Sequence, residues 1–256
     1  MKLSESWKLS TAHAASRTKY AVLGDIHGNW EALSAVLEDA AAQGVMHYVC
    51  VGDLVGYNAN PAECLKQLRD LGAISVRGNH DHYCSHAEDV CDVHLLAVVD
   101  WTRHQLSEAD ATYLRDLRMV HTVGGFTLVH STLDMPEKWG YVFDELGAES
   151  NFSYQSASVC FHGHTHQPVV FEKAGGEVSR PSASKTMITL GKKYFISVGS
   201  VGQPRDGDPR ASYAIYDVAA REVELRRVPY DIAKAQKKIL AAGLPERLAM
   251  RLTLGL

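Results

Sequence analysis

Five short clusters of Asp, Asn and His punctuate the chain: Gly24-Asp25-Ile26-His27-Gly28-Asn29, Gly52-Asp53, Gly78-Asn79-His80-Asp81, Val129-His130 and Gly163-His164-Thr165-His166. Each begins where an apolar run gives out. In an extended segment residues i and i+2 point the same way, so Asp25 with His27, and His164 with His166, are expected to present paired donors to one side. Carboxylate, imidazole and amide donors without a Cys-x-x-Cys suit a catalytic site for Mn²⁺, Fe²⁺, Zn²⁺, Co²⁺ or Ni²⁺ better than a closed thiolate zinc knot. The neighbouring glycines (Gly24, Gly28, Gly52, Gly78, Gly163) let tight loops bring backbone close to ions and phosphate oxygens. Singly, a Gly-Asp after a strand is a turn or cap residue, and a strand-end His is a surface polar group. The set is what points to metal chemistry.

The elements that must position these clusters are legible around them. YAVLGD is a short apolar run, and Asn29 opens a helix in which Trp30, Leu33, Val36, Leu37 and Ala40 recur at helical spacing before Gly44. MHYVCVGD repeats the strand, Asn60-Pro61 start a helix running to Gly72, and AISVRGNHD gives a third strand. Strands alternating with helices predict parallel pairing, with the working site at the carboxyl ends of the strands. Helices are expected around Leu95 to His104 and Ser107 to Leu117, the latter with a Ser107-x-x-Asp110 capping pattern. Beyond a Gly124-Gly125 turn the texture becomes mainly antiparallel: FTLVHS and SVCFHGHTH are strands, and hairpin-like pairs run through TMITLGKKYFISVGS and SYAIYDVAAREVELRRV. Asp231 to Leu254 returns to helical spacing, broken at Pro245.

In that order, GDIHGN, GDLVGY, GNHD, a His after an apolar strand, and GHTH resemble the motifs of the calcineurin-like metallophosphoesterases. The resemblance runs from about Lys19 to SVGSVGQPRDGDPRASYAI, a stretch most like the small prokaryotic phosphodiesterases labelled YfcE-like or diadenosine-tetraphosphatase-like. It implies a four-layer αββα sandwich, two mixed sheets flanked by helices, formed by residues 19–256, while residues 1–18, polar and weakly periodic, read as an N-terminal arm. It implies two divalent metals: Asp25, His27 and His166 on the first, Asp53 bridging, and Asn79, His130 and His164 on the second. It also implies hydrolysis of a phosphoester by a metal-held hydroxide, with His80 beside the substrate as general acid or positive clamp. Asn29, Asn79, His80 and Arg205 are the expected substrate contacts, and Asp53 and His80 the expected catalytic pair. Two departures, Ser197-Val198 for the family's Asn-Pro and Ser131-Thr132 for its Gly-Ser, bear on loop shape and substrate choice.

The formal charge of −4 and pI near 6.3 disfavour strong nucleic-acid binding, although bound cations would attract phosphate locally. A small phosphoester or nucleotide is therefore the expected partner, ahead of a nuclease substrate or a non-catalytic scaffold role, which should show eroded ligands. Five scattered cysteines suit free thiols in a reducing cytoplasm, and no apolar run is long enough for a membrane span. His82, Cys84, His86 and Cys91 match no ligand spacing and read as a polar loop near the cleft. His162 reads as structural, and Arg77 and Arg210 as solvated alternatives to Arg205.

Overall fold

The computed structural model describes residues 18–86 and 93–256. Residues 1–17 of the expected N-terminal arm, and Cys91, lie outside the described residues. In chain order come β1 (Lys19–Leu23), α1 (Trp30–Ala42), β2 (His47–Cys50), α2 (Pro61–Asp70), β3 (Ile74–Ser75), α3 (Asn79–Ser85), α4 (Val93–Gln105) and α5 (Glu108–Asp116). There follow β4 (Val120–Val123), β5 (Phe126–Val129), α6 (Glu145–Tyr154), β6 (Val159–His162), β7 (Pro168–Ala174) and β8 (Glu177–Ser179). The chain finishes with β9 (Lys185–Met187), β10 (Lys193–Val198), β11 (Ala211–Asp217), β12 (Glu222–Val228), α7 (Ile232–Ala241) and α8 (Glu246–Leu254).

The strands form two six-stranded mixed sheets, ordered β3-β2-β1-β11-β12-β9 and β4-β5-β6-β10-β7-β8. Period-two burial builds the layers. Val22, Val49, Phe126, Phe161, Ile196 and Tyr216 meet between the sheets. Their neighbours point outward: Ala21, Leu23 and Tyr213 meet Leu33, Val36 and Leu65 of α1 and α2, and Cys160, Phe171 and Phe195 meet Ala148 and Phe152 of α6. The result is the expected αββα sandwich. Because each sheet is covered on both faces, truncating an inter-sheet ring such as Phe161 to Ala should cost about 3–5 kcal/mol.

Parallel pairs fall in both sheets, β1 with β2 in one and β5 with β6 in the other. Their carboxyl ends therefore supply four polar loops at one end of the sandwich. Local signals hold where they were strong. Asn29 caps α1 through Oδ1, which accepts from Ala32 N at 3.1 Å, and Ser107 and Asp110 form the capping box of α5.

Three expectations need correction. The third strand is only Ile74–Ser75, and Asn79-His80-Asp81 form the first turn of α3, so His82, Cys84 and His86 lie on or directly after a helix and not in a loop. TMITLGKKYFISVGS is not a hairpin: β9 pairs with β12, while β10 lies between β6 and β7 in the other sheet. The reason is burial, because β10 is buried on both faces and needs two neighbours, whereas β9 is an edge strand. The hairpin β7–β8 around Gly175-Gly176 was not anticipated, although its Gly-Gly turn is the same signal read at Gly124-Gly125.

Candidate metal centre

The donors do not sit in extended backbone. Asp25, His27, Asp53, His164 and His166 all have left-handed φ, between 49° and 68°. The pairing of side chains expected from i, i+2 geometry is thus produced by tight loops, and His164 and His166 are divided between two groups. Non-glycine residues held in this region cost about 1 kcal/mol or more each, and they persist where surrounding contacts over-determine them.

Those contacts are mostly main-chain. Asp25 N donates to Gly52 O at 3.0 Å and His27 N to Asp53 O at 2.9 Å, stitching the loop after β1 to the loop after β2. From the other side Val201 N and Gly202 N donate to Gly24 O and Asp25 O, at 3.0 and 2.9 Å. A Cβ on Gly202 would lie 1.9 Å from Ile26 O, so only glycine lets the two loops approach this closely. Gly78 has a related task, since a Cβ there would lie 2.1 Å from Asp53 Oδ1.

The side chains converge on two adjoining groups. Ligand atoms of Asp25, His27, Asp53 and His166 lie within 4.8 Å of one another, and so do those of Asp53, His130 and His164. Asp53 belongs to both. Asn79 joins the second group, its Oδ1 standing 3.1 Å from His130 Nε2. All seven residues expected as ligands are therefore brought together, and all are buried.

Proton bookkeeping tests whether this donor set fits a metal. His27 Nδ1 lies 3.0 Å from Val55 O, His130 Nδ1 2.8 Å from Val51 O, and His164 Nε2 2.8 Å from Trp139 O, and His166 Nδ1 contacts Gln203 O. A carbonyl can only accept, so in each case that ring nitrogen carries the proton. In a neutral imidazole the opposite nitrogen is then a bare lone pair. Those lone pairs face each other: His27 Nε2 is 3.2 Å from His166 Nε2, and His130 Nε2 is 3.1 Å from His164 Nδ1. Carboxylates stand beside them, with Asp53 Oδ2 at 3.5 Å from His27 Nε2 and 3.4 Å from His130 Nε2, and Asp25 Oδ1 at 3.2 Å from His166 Nε2. Acceptors converging without protons to share fit divalent cations.

Burial favours the neutral rings. It pushes His27 well below the usual range, His164 to about 3, and His166 down with help from the Arg205 charge. At His130 burial acts downward too, but the Asp53 carboxylate overrides it and lifts the ring to about 9. Burial works against the charge on Asp53 and Asp25, yet His130 and His80 hold the first, and His166 the second, below the usual carboxylate range.

His80 lines the cleft outside these groups, packed against His27 and Tyr57 at centroid distances of 4.7 and 4.2 Å. Burial lowers it to about 4, against the pull of Asp53, and its buried Nδ1 makes no hydrogen bond. Arg205 lies over the Tyr57 ring at 5.6 Å and donates to Gln203 Oε1. Asn29, expected to touch substrate, is instead consumed by structure: Oδ1 caps α1, and Nδ2 donates to Gly202 O at 2.9 Å. His162 is buried and stacked on Phe195, while Arg77 and Arg210 are engaged by Arg115 O and Asp208.

Sequence reasoning passed over Asp81, although it closes the GNHD motif. Its carboxylate accepts from the backbone N–H of Asp53 at 2.8 Å, Leu54 at 2.8 Å, Val55 at 3.3 Å and Gly78 at 3.0 Å. Burial and the nearby Asp53 charge push its pKa up, to about 7, against the pull of the Gly78 and Leu54 N–H groups. Asp81 thereby fixes the loop that carries Asp53. Only its place in the fold reveals this.

A four-layer αββα sandwich with Asp/His clusters at its strand ends is the architecture of the calcineurin-like phosphoesterases. Residues 19–221 match that superfamily's domain, and the chain belongs to the family. An uncharacterized protein of Methanocaldococcus jannaschii is 38% identical over 245 residues, covering 93% of this chain and 99% of its own. The crystal structure of a metallophosphoesterase from Sphaerobacter thermophilus superposes with a TM-score of 0.84 at 36% identity, covering 94% of this chain and 100% of that one. A symmetrical bis(5'-nucleosyl)-tetraphosphatase of Histophilus somni is 33% identical over 101 residues, 33% of this chain and 37% of its own.

Proposed function

We propose that the chain, with residues 19–256 acting as one unit, is a hydrolase that cleaves a small phosphoester or nucleotide with two divalent metals. The observation that carries this reading is the convergence of four imidazole nitrogens on a carboxylate, Asp53, common to both donor groups. Asp25, His27, Asp53 and His166 would hold one ion, and Asp53, Asn79, His130 and His164 the other. Mn²⁺, Fe²⁺, Zn²⁺, Co²⁺ and Ni²⁺ all suit this mixture of oxygen and nitrogen donors. Bound there, such ions supply Lewis acidity that lowers the pKa of water and draws charge from phosphoryl oxygens.

The chain's own residues do the rest. Peptide carbonyls orient the imidazoles, Asp81 fixes the Asp53 loop, and glycines bring the loops together. His80 lines the cleft while its unpartnered Nδ1 is buried against Gly56, which leaves Nε2 to donate a hydrogen bond to a phosphoryl or leaving oxygen. The negative charge of a bound phosphoryl group raises that ring's affinity for a proton. Arg205 adds positive charge behind it. The tetraphosphatase name of the Histophilus relative makes a nucleotide a sensible substrate to try. Four buried free thiols among the described residues support a reducing, cytoplasmic setting, and no described helix is long and apolar enough to cross a membrane.

The test is turnover of bis(p-nitrophenyl) phosphate and p-nitrophenyl phosphate, with and without Mn²⁺, together with elemental analysis of the purified protein. Metal-dependent hydrolysis that chelation abolishes reversibly is expected. Undiminished turnover by the chelated protein would overturn the two-metal reading, and no turnover with any divalent metal would favour a scaffold.

A further inference from the structure

A cleft of about 700 Å³ opens from the donor groups, where Asn79, His80 and His164 form its floor. One of its walls comes from α8, which lies beyond the residues 19–221 that match the family domain. Arg247 and Arg251 are four residues apart on that helix, so they share a face, and both line the cleft. Lys138 lines it as well. Like charges at this spacing repel unless an anion lies between them. None is supplied by side chains: among the described residues, no Asp or Glu pairs with Arg205, Arg247, Arg251 or Lys138. Arg251 Nε donates to the main-chain oxygen of Leu256, and Arg205 to the neutral Gln203.

The cations are also ordered. Arg205 lies 5.6 Å over the Tyr57 ring, which packs on His27 and His80 and lines the cleft together with Arg247 and Arg251. Arg251 is pushed down by burial and then by the Arg205 and Arg247 charges. Positive charge thus runs outward from the donor groups through Arg205 to Arg251 and Arg247. The helix is held firmly, because Leu248, beside the arginines in the cleft, and Ala249 and Leu252 further round are buried against α4 and α7. Gly255 at the end of the helix, with φ 65°, accepts from Gly207 N at 2.9 Å, two residues from Arg205. Guanidinium forks suit phosphate oxygens, and a row of them leading from a phosphoryl-handling centre suits successive phosphates.

We propose that Arg251 and Arg247, with Lys138, form a subsite for a second, non-scissile phosphate, so that the substrate is a phosphoester or anhydride carrying an oligophosphate chain. The choice of substrate rests on the phosphoesterase reading above, whereas the anion subsite does not. Two measurements separate them, using Arg247→Gln/Arg251→Gln, which keeps most of each stem in place.

In the first, metal-depleted protein is titrated calorimetrically with inorganic tripolyphosphate. The double variant should bind about tenfold or more weakly than the wild type, and equal affinity overturns the subsite. In the second, kcat/KM of metal-loaded enzyme is compared on a dinucleoside tetraphosphate and on bis(p-nitrophenyl) phosphate, which has a single phosphoryl group. The ratio of the two should fall about a hundredfold in the double variant, through KM for the tetraphosphate. Equal losses on both substrates indicate a merely structural role and overturn the proposal. Wild-type protein inactive on both contradicts the phosphoesterase reading instead, and the titration then decides the subsite.

Discussion

The floor and one wall of the cleft are built on different terms. On the floor, charge is balanced internally: imidazoles face carboxylates, and each ring's outer nitrogen is tied to a peptide carbonyl. On the wall, α8 presents Arg247 and Arg251 with no Asp or Glu partner among the described residues. The floor is assembled by backbone from loops after β1, β2, β5 and β6, while the wall consists of side chains on a helix beyond the family match. The backbone that positions the floor's donors cannot shift without moving several strands. Side chains on the wall can change one at a time.

The largest effect should come from striking the floor where its two groups meet. Asp53→Asn or His130→Ala should lower kcat on a diester by at least about a thousandfold, since several kcal/mol of charge stabilisation is lost. Circular dichroism should stay unchanged, and elemental analysis should show lowered metal content. Substantial residual turnover would mean that the floor does not do the chemistry.

Asp81→Asn sharpens the comparison by attacking the frame and leaving the donors in place. An amide cannot accept four backbone N–H groups as a carboxylate does, so metal affinity or kcat should fall about 10–100-fold. Thermal stability should drop by about 2–4 kcal/mol with it. A variant of wild-type stability and full activity would remove Asp81 from the frame.

The smallest effect is expected far from both regions. Asp39 on α1 accepts from Arg226 Nε at 2.8 Å and Nη2 at 2.9 Å, and from Tyr213 Oη at 2.5 Å, joining α1 to β11 and β12. Arg226 holds its carboxyl below the usual range, with burial opposing and Tyr213 assisting. A folded pKa below the unfolded one gives stability that is present above about pH 4 and lost as the pH falls through the folded value. Asp39→Asn should therefore cost about 1–2 kcal/mol near neutrality and progressively less in acid, with kcat/KM unchanged. Urea midpoints of both proteins at neutral pH and near pH 2.5 would show it, and a gap that does not narrow in acid would refute the assignment.

The floor was legible in the sequence because its donors recur in short motifs at strand ends, and the parallel texture of β1 and β2 showed which end mattered. Its backbone was not legible. Asp25, His27, Asp53, His164 and His166 read naturally as extended, and nothing in their types forces φ near 50–70°. That conformation comes from main-chain bonds to loops far away in the chain, such as Gly202 N to Asp25 O. Asp81 was hidden for the same reason, being local to His80 in sequence but acting on Asp53. Asn29 was misjudged in the opposite sense, since its capping role, itself readable, uses the groups a substrate would need. The β9–β10 pair showed strand character but not partner choice, which burial on both faces of β10 decides. Arg247 and Arg251 gave no sign at all, because i and i+4 arginines on a terminal helix look like any solvated face.

The carbonyls behind the histidines carry a consequence for how such a centre can evolve. Where a carboxylate orients a metal-binding imidazole, one codon change can detune the ligand. Here Val55, Val51, Trp139 and Gln203 contribute only their peptide oxygens, which every amino acid possesses. Side-chain drift at those four positions leaves ring orientation and tautomer intact, so the reactivity of the centre is shielded from the substitutions that remodel its surroundings. A lineage built this way can exchange substrates by editing the cleft while its hydrolytic machinery stays constant.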